Sequence, residues 1–307
     1  MWLVSDAGGY VTGETIVVER HMSDTLDYAV VDVFTDRAFA GNPLAVVLDA
    51  DRLSTEQMQS LAREFNLSET TFVLPPTTDE ATYRARIFTA TTELPFAGHP
   101  SVGTAWLLVH RGRHEAGTLV QECGAGLVQL FVDDHGAMLT GAAPSQSGVV
   151  DEAPYLQALG LRAEDLDATP LRLCGCGLDW GFLRVADDAL GRIALDQTAL
   201  APLPGAGVCV FSYRDVRAHA RVFAGGVGVS EDPATDSAAL GLGVFLVPSG
   251  LLPADGESSY EIAQGAEIGR PSRIVGQITA AEGRTVTVHV AGGVAEVAAG
   301  RIRVPPS

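Results

Sequence analysis

Short apolar runs alternate along this chain with segments of turn residues, and they predict a fold made mostly of strands. The runs that we interpret as strands are 28–34, 44–48, 70–74, 83–89, 118–122, 127–132, 137–140, 171–174, 182–186, 208–213, 221–223, 260–263, 274–279, 285–290 and 302–304. Ser54 and Gln57 form a capping-box pattern, which predicts an amphipathic helix that ends near Phe65. Another helix is predicted to begin near Asp151.

Two further helices are predicted in segments 101–110 and 237–247, which have almost no polar face. A helix that is apolar on all sides is buried. The pattern therefore predicts an α/β (α+β) protein with two similar domains, each a curled, mostly antiparallel sheet around one central helix. Only the N-terminal end of each helix is then free to reach a functional site.

The two helix starts look like copies of one unit. Segments 98–105 and 231–238, 133 residues apart, both place a polar residue before Pro and then small residues, and upstream segments 86–90 and 221–225 also match. Proline suits the first turn of a helix, and exposed N–H groups there favour an anion. An internal repeat with its two helix starts facing each other predicts a site between the domains.

Length and composition agree with two domains. A chain of 307 residues suits about two domains of roughly 150 residues each. The Ser- and Gly-rich stretch 144–150 marks the boundary, which gives a first domain at 28–147 and a second at 148–307. We leave open a last strand that crosses back to the first domain.

The net charge of −18 argues against nucleic acid or an anionic membrane as partner. No apolar run approaches the roughly 20 residues that a membrane-spanning helix needs. Four cysteines are too few for a disulfide framework. We therefore expect a cytoplasmic enzyme that acts on a small molecule.

Residues 1–27 are interpreted as an N-terminal extension. Residues 1–21 lack the basic start and the cleavage site of a signal peptide. They resemble the C-terminal strand of a short-chain dehydrogenase, but the chain has no other feature of that family. We expect the working protein to begin near Met22, and an added β-strand is the competing interpretation.

Glu69 is the strongest candidate for chemistry. It lies between a predicted helix end and a strand, among hydroxyl and apolar side chains. A carboxyl group in such a partly dry place can have a raised pKa and carry protons near neutral pH. On composition alone, a solvated loop glutamate is the simpler interpretation. His99 and Asp232 likewise have simpler interpretations, as a packed or capping histidine and as a helix N-cap.

Several ordered motifs resemble the PhzF-like isomerase family of phenazine biosynthesis, which shares its fold with diaminopimelate epimerase. The resemblance covers about Tyr28 to Val304. Its motifs are 32–35, 41–47, 66–72, 86–89, 93–100, 231–235, 264–265 and 269–272.

The resemblance implies a role for each matching residue. Glu69 matches the catalytic acid/base, and His99, Asp232 and Ser237 match substrate-contacting residues. Gly98 and Asp236 complete the predicted substrate site. The implied reaction is a cofactor-independent isomerisation of a small carboxylated substrate, similar to trans-2,3-dihydro-3-hydroxyanthranilate, in which a proton moves between two carbons. No cofactor and no metal are implied, and we expect a homodimer.

Two departures bear on the substrate. Asp236 stands where the family usually has glycine, and its carboxylate competes with an anionic ligand for the helix N–H groups. It points to a substrate with a neutral or positive group at that end, or to a weakened site. The epimerase relatives use two cysteines where this chain has His99 and Asp232, which disfavours a dithiol racemase. Cys174 and Cys176 are interpreted as structural thiols.

Two alternatives to an isomerase stay open. One is an epimerase or racemase of an amino acid derivative that uses Glu69 with His99. The other is a small-molecule binding protein that has lost its activity, for which Asp236 is the motivating residue.

Overall fold

The computed structural model describes residues 25–224 and 231–306. The strands are β1 (Thr25–Val33), β2 (Asn42–Val47), β3 (Glu69–Leu74), β4 (Tyr83–Phe88), β5 (Glu93–Leu94), β6 (Gly117–Cys123), β7 (Gly126–Asp133), β8 (Gly136–Thr140), β9 (Ser145–Val149), β10 (Arg172–Gly175), β11 (Asp179–Arg184), β12 (Gly207–Arg214), β13 (Arg217–Ala224), β14 (Gly256–Gln264), β15 (Ser272–Ala281), β16 (Arg284–Gly292) and β17 (Val294–Arg303). The α-helices are α1 (Thr55–Phe65), α2 (Gly98–His110), α3 (Ala153–Leu159), α4 (Asp187–Leu190), α5 (Gln197–Leu200) and α6 (Asp236–Leu246).

Hydrogen bonds join these strands into one network. Most neighbours are antiparallel, and the parallel pairs are β2–β3, β4–β6, β11–β12 and β13–β14. The two halves of the chain are connected where β8 pairs with β16, β9 with β10 and β1 with β17. The predicted mixed fold with mostly antiparallel strands is confirmed. The division at residue 147 stays a prediction.

The two apolar helices are buried inside this network, as predicted. Nearly every residue of α2 and α6 is buried. Strands β1, β2, β7 and β8 pack on α2, and β10, β11, β15 and β16 pack on α6. Glycine allows the close approach: a Cβ on Gly103 would lie 2.7 Å from Val33 Cγ2, and one on Gly241 would lie 2.8 Å from the Cys174 carbonyl oxygen.

The internal repeat is visible in side-chain contacts. In each half, an arginine stacks on a phenylalanine two residues later and pairs with a glutamate further along. The residues are Arg86, Phe88 and Glu93 in the first half and Arg221, Phe223 and Glu231 in the second. The guanidinium carbon lies 5.2 Å from the ring centre in both, and the shortest ion-pair distances are 2.7 and 2.6 Å.

The predicted alignment of the two helix starts was wrong by five residues. Leu94 pairs with Ile87 of β4, and Asp232 makes the corresponding bridge to Val222 of β13. Gly98 then corresponds to Asp236 as the first residue of its helix, and His99 corresponds to Ser237 rather than to Asp232. The proline signal misled because Pro100 is the third residue of α2, whereas Pro233 precedes α6 by three residues.

Other sequence predictions held where a periodic pattern was present. Helix α1 has both capping-box hydrogen bonds, between Ser54 and Gln57. Strand β9 was missed because its polar residues, read as a linker, are ordered by pairing with β10. Strand β17 is longer than predicted because its run of Ala and Gly gives little hydrophobic pattern. Helices α4 and α5, of four residues each, were also missed.

The N-terminal extension lies mostly outside the described residues. The predictions for residues 1–21 and the start near Met22 fall there. Residues 25–27 belong to β1, which pairs along its whole length with β17. No helix within the two described ranges has the length and apolar character that crossing a bilayer requires.

Candidate active site

Glu69 is positioned by the turn between α1 and β3. Asn66 ends α1 in the left-handed conformation, with φ of 50°, which turns the chain towards the sheet. Glu69 is the first residue of β3 and lies beside Leu44 of the parallel strand β2. Its side chain is 17% exposed, so its carboxyl group is largely removed from water.

His99, the second residue of α2, faces Glu69. Its Nε2 lies 3.4 Å from Glu69 Oε2, and the imidazole is 7% exposed. The two atoms lack the geometry of a hydrogen bond, and neither has another hydrogen-bond partner among the described residues. Two buried polar atoms without partners, aimed at one place, are typical of a site that receives a ligand.

Asp232 is held from the first half of the chain by Asn42. The Asn42 Nδ2 donates to Asp232 Oδ1 at 3.0 Å and to the Ala234 carbonyl oxygen at 2.9 Å. The Ser68 hydroxyl donates to Asn42 Oδ1 at 3.2 Å, which links this bridge to the residue before Glu69. From the sequence, Asn42 was placed only within the motif 41–47, and this contact was missed. Its position before Pro43 gave no signal of a partner 190 residues away.

Gln264 fixes the segment between Asp232 and α6. Its side-chain amide donates to the Asp232 carbonyl oxygen at 2.7 Å and to Thr235 Oγ1 at 3.0 Å. The Thr235 hydroxyl in turn donates to the Asp232 carboxylate. The Asp232 carboxylate is therefore oriented by Asn42 and Thr235, and it is not a cap of α6.

Asp236 joins the N-termini of the two central helices. It is 6% exposed, and its Oδ1 accepts the backbone N–H of His99 at 3.1 Å. A Cβ on Gly98 would lie 1.6 Å from Asp236 Oδ2, so Gly98 leaves the space that this carboxylate fills. The Asp236 carboxylate is therefore buried between the two helix starts and does not point to solvent.

Ser237 is partnered by a residue that sequence reasoning missed. Its Oγ accepts the indole N–H of Trp180, in β11, at 3.1 Å. Trp180 is 4% exposed, and its ring packs in the main core. Trp180 lies before the strand predicted at 182–186, and no prediction was made for it from the sequence.

The buried acids of the site titrate near neutral pH. Burial, with a smaller effect from the charges of Asp232 and Asp236, raises the pKa of Glu69 to about 7. Burial also raises the pKa of Asp232 to about 7 and that of Asp236 to about 6. Hydrogen bonds oppose these shifts, from Thr235 and Asn42 at Asp232 and from the backbone N–H of His99 at Asp236. The titrations of the three carboxyl groups are coupled, because the charges of Asp232 and Asp236 raise the pKa of Glu69 and the charge of Asp236 raises that of Asp232.

His99 has the opposite shift. Burial lowers its pKa to about 3, so the imidazole is neutral at neutral pH. A neutral imidazole next to a carboxyl group with a pKa near 7 gives a site that can hold, take or release one proton.

Three of the four cysteines, Cys174, Cys176 and Cys209, offer no comparable chemistry. Burial raises the pKa of the Cys174 and Cys176 thiols to about 12 and also raises that of Cys209. Thiols with such values are protonated at neutral pH and poor nucleophiles. Within the described ranges, no group of three or more His, Cys, Asp or Glu side chains is arranged to hold a metal ion.

Comparisons with known proteins agree on one family. Residues 31–300 match the family described as phenazine biosynthesis-like protein. An uncharacterized isomerase of Mesorhizobium japonicum is 38% identical over 303 residues, which cover 91% of this chain and 99% of the relative. The trans-2,3-dihydro-3-hydroxyanthranilate isomerase of Pseudomonas aeruginosa is 37% identical, with 89% of this chain and 98% of the relative covered.

A solved structure agrees as well. The phenazine biosynthesis protein of the PhzF family from Bacillus anthracis superposes with a TM-score of 0.83 at 26% identity. The match covers 91% of this chain and 99% of that one. The chain therefore belongs to the phenazine biosynthesis-like (PhzF) family of isomerases.

Proposed function

We propose that this protein is a cofactor-independent isomerase in which Glu69 takes a proton from one carbon of a small substrate and returns it to another. The observation that carries this proposal is the state of the Glu69 carboxyl group. The group is largely removed from water, its Oε2 is buried without a hydrogen-bond partner among the described residues, and its pKa is about 7.

In the proposed reaction the Glu69 carboxylate accepts a proton from a C–H bond. The electron pair of that bond forms a new double bond to the neighbouring carbon, and the existing double bond shifts along the ring. The protonated Glu69 then donates the same proton to the carbon at the far end of the shifted system. Nothing is oxidised or reduced, and the carboxylate is regenerated.

Burial supports this chemistry in two ways. A base with a pKa near 7 is strong enough to accept a proton and acidic enough to return it. A site from which water is excluded also keeps the proton from exchanging before it is returned. The neighbouring His99 and Asp232 are placed to contact polar groups of the substrate.

The positions of Glu69 and His99 favour an isomerase over an epimerase. Inversion at one carbon by two groups requires an acid and a base on opposite sides of that carbon. Glu69 Oε2 and His99 Nε2 lie 3.4 Å apart, which leaves no room for a substrate carbon between them. Both side chains therefore approach a substrate from the same side, where Glu69 shuttles the proton and His99 lies beside it.

The relatives name the first substrate to test. The Pseudomonas aeruginosa relative is named for trans-2,3-dihydro-3-hydroxyanthranilate, a small carboxylated compound. The negative charge of Asp236, at the junction of α2 and α6, disfavours a substrate carboxylate. The carboxamide of the same compound therefore belongs in the same assay.

The experiment is incubation of each compound with the protein in deuterated water, followed by NMR. We expect the double bonds to move with little deuterium at the carbon that receives the proton, because a site from which water is excluded slows exchange of the proton held by Glu69. Inversion at one carbon without movement of a double bond would replace the proposal by an epimerase. Tight binding of both compounds without change to either would replace it by a binding protein.

The homodimer and the cytoplasmic location that the sequence predicts are also part of this proposal. Light scattering on the purified protein tests the first, with a mass of about twice 32.1 kDa expected. Fractionation of the cells that produce the protein tests the second.

A further inference from the structure

The N-termini of α2 and α6 meet at the Asp236 carboxylate. The backbone N–H groups of His99, Asp236 and Ser237 all stabilise its charged form. His99 and Ser237 are each the second residue of their helix, so the carboxylate lies between equivalent donors from the two halves. Two helix N-termini that converge in this way favour a negative charge.

The space for this carboxylate comes from Gly98. Gly98 and Asp236 are equivalent first residues, and the three atoms nearest to a Cβ built on Gly98 all belong to the Asp236 carboxyl group, at 1.6, 2.3 and 2.9 Å. The Asp236 side chain of the second half thus fills the space that Gly98 of the first half leaves empty. With glycine at both positions, the same space would be open to an external anion.

The charges around this place are all acidic. Asp236 raises the pKa of both Glu69 and Asp232, so the three carboxyl groups lie near one another. Within the described part of the chain, no basic side chain is among the groups that shift the pKa of these three acids. A substrate carboxylate would meet repulsion there without a compensating cation.

A second observation marks the cleft as a place for a ligand. His99 Nε2 and Glu69 Oε2 are buried polar atoms without hydrogen-bond partners among the described residues. His99 also supplies the backbone N–H that Asp236 accepts, so this one residue contacts Asp236 through its backbone and lies beside Glu69 through its imidazole.

We propose that Asp236 is an internal anion that takes the place of a substrate carboxylate. The substrate then presents to it an uncharged or cationic hydrogen-bond donor, such as an amide, a hydroxyl or an ammonium group. This inference rests on the proposed function only in taking this cleft as the substrate site, and it defines the class of compound that the isomerase accepts.

The test uses acetate as the probe, titrated into the full-length protein while the backbone amide signals are followed by NMR. Asp236→Gly opens the space, and Asp236→Ala opens it with less change in backbone freedom, should the glycine variant fold poorly. Asp134→Gly is the matched control, because it removes one negative charge from an exposed turn.

We expect acetate to shift the amide signals of His99 and Ser237 in the Asp236 variants, with a Kd at least about tenfold lower than in the parent or the control. Equal Kd values in parent and variants, or no response of these two amides in either variant, would overturn the inference.

A second measurement concerns the parent alone. By calorimetry, it is expected to bind 3-hydroxyanthranilamide at least tenfold more tightly than 3-hydroxyanthranilate. Tighter binding of the carboxylate would contradict the inference. The acetate titration is repeated in the double variant Asp236→Gly, Glu69→Gln to separate the two proposals. Because anion binding does not need the proton shuttle, this double variant should still bind acetate.

Discussion

Gly98 and Asp236 are equivalent first residues of two facing helices, and the carboxylate of one occupies the space where the other has no side chain. This contact couples the two halves of the chain at the helix N-termini that border the candidate site. The loss of stability caused by a methyl group at Gly98 therefore depends on which residue occupies position 236.

The first prediction is a double-mutant cycle on this pair. Gly98→Ala places a methyl group in collision with the carboxylate, and we expect it to lower the free energy of unfolding by about 1–3 kcal/mol. In an Asp236→Gly background the same change should cost much less. Denaturant unfolding of the four proteins measures the coupling, with Gly191→Ala as a control whose Cβ would have no neighbour within 4 Å. Equal costs in both backgrounds would show that the contact does not exist in solution.

The equivalence of Gly98 and Asp236 could be predicted only in part from the sequence. The repeat was visible because Arg86 and Arg221 each precede a phenylalanine by two residues in an apolar strand. Its register was misjudged because a proline fits both inside the first turn of a helix and shortly before it. Only the pairing of Leu94 with Ile87 and of Asp232 with Val222 fixes which residues correspond.

The site was predictable to a different degree. Glu69, His99, Asp232 and Asp236 stand in motifs that resemble a family, and the fold brings them together. Asn42 and Trp180 were missed because each acts through a partner far along the chain. Asn42 lies in the motif 41–47 and Trp180 precedes the strand predicted at 182–186, and neither local pattern reports the hydrogen bond that the side chain makes.

The second prediction concerns Asn42. Asn42→Ala removes a hydrogen bond that lowers the pKa of Asp232, so we expect this pKa to rise further. Loss of a partner at a buried polar group should also lower the free energy of unfolding by about 1–3 kcal/mol. Carboxyl signals followed by NMR against pH measure the first effect and denaturant unfolding the second. A pKa of Asp232 that stays the same or falls would contradict the role given to Asn42.

The third prediction is a pH dependence of stability. The folded-state pKa of Glu69 is about 7, above the usual 4.5, so the folded protein holds more protons than the unfolded chain between these values. The contribution of Glu69 to stability therefore falls as pH rises from about 4.5 to about 7, and it is constant above that. Glu69→Gln removes this contribution.

The measurement is the difference in unfolding free energy between the parent and Glu69→Gln, at pH 5 and at pH 7.5. The difference should shift in favour of the variant at the higher pH. Glu64→Gln, on the exposed face of α1, is the control and should show no such change. A difference that shifts in favour of the parent would mean that the pKa of Glu69 is lowered rather than raised.

The fourth prediction concerns the Ser237 hydroxyl. Ser237→Ala leaves the buried indole N–H of Trp180 without its acceptor, which should cost about 1–3 kcal/mol of stability. In the double variant with Trp180→Phe, the cost of Ser237→Ala should be smaller, because no donor is left unpaired. Additive costs in the double variant would argue against the Trp180–Ser237 hydrogen bond.

Turnover of Glu69→Gln and Glu64→Gln, on whichever compound the parent isomerises, shows whether Glu69 carries the proton. Glutamine keeps the size of the side chain but cannot take a proton. We expect Glu69→Gln to lose about 10²–10⁴-fold in kcat with a much smaller change in KM, while Glu64→Gln keeps parental rates. Near-parental kcat for a folded Glu69→Gln protein would show that Glu69 does not carry the proton.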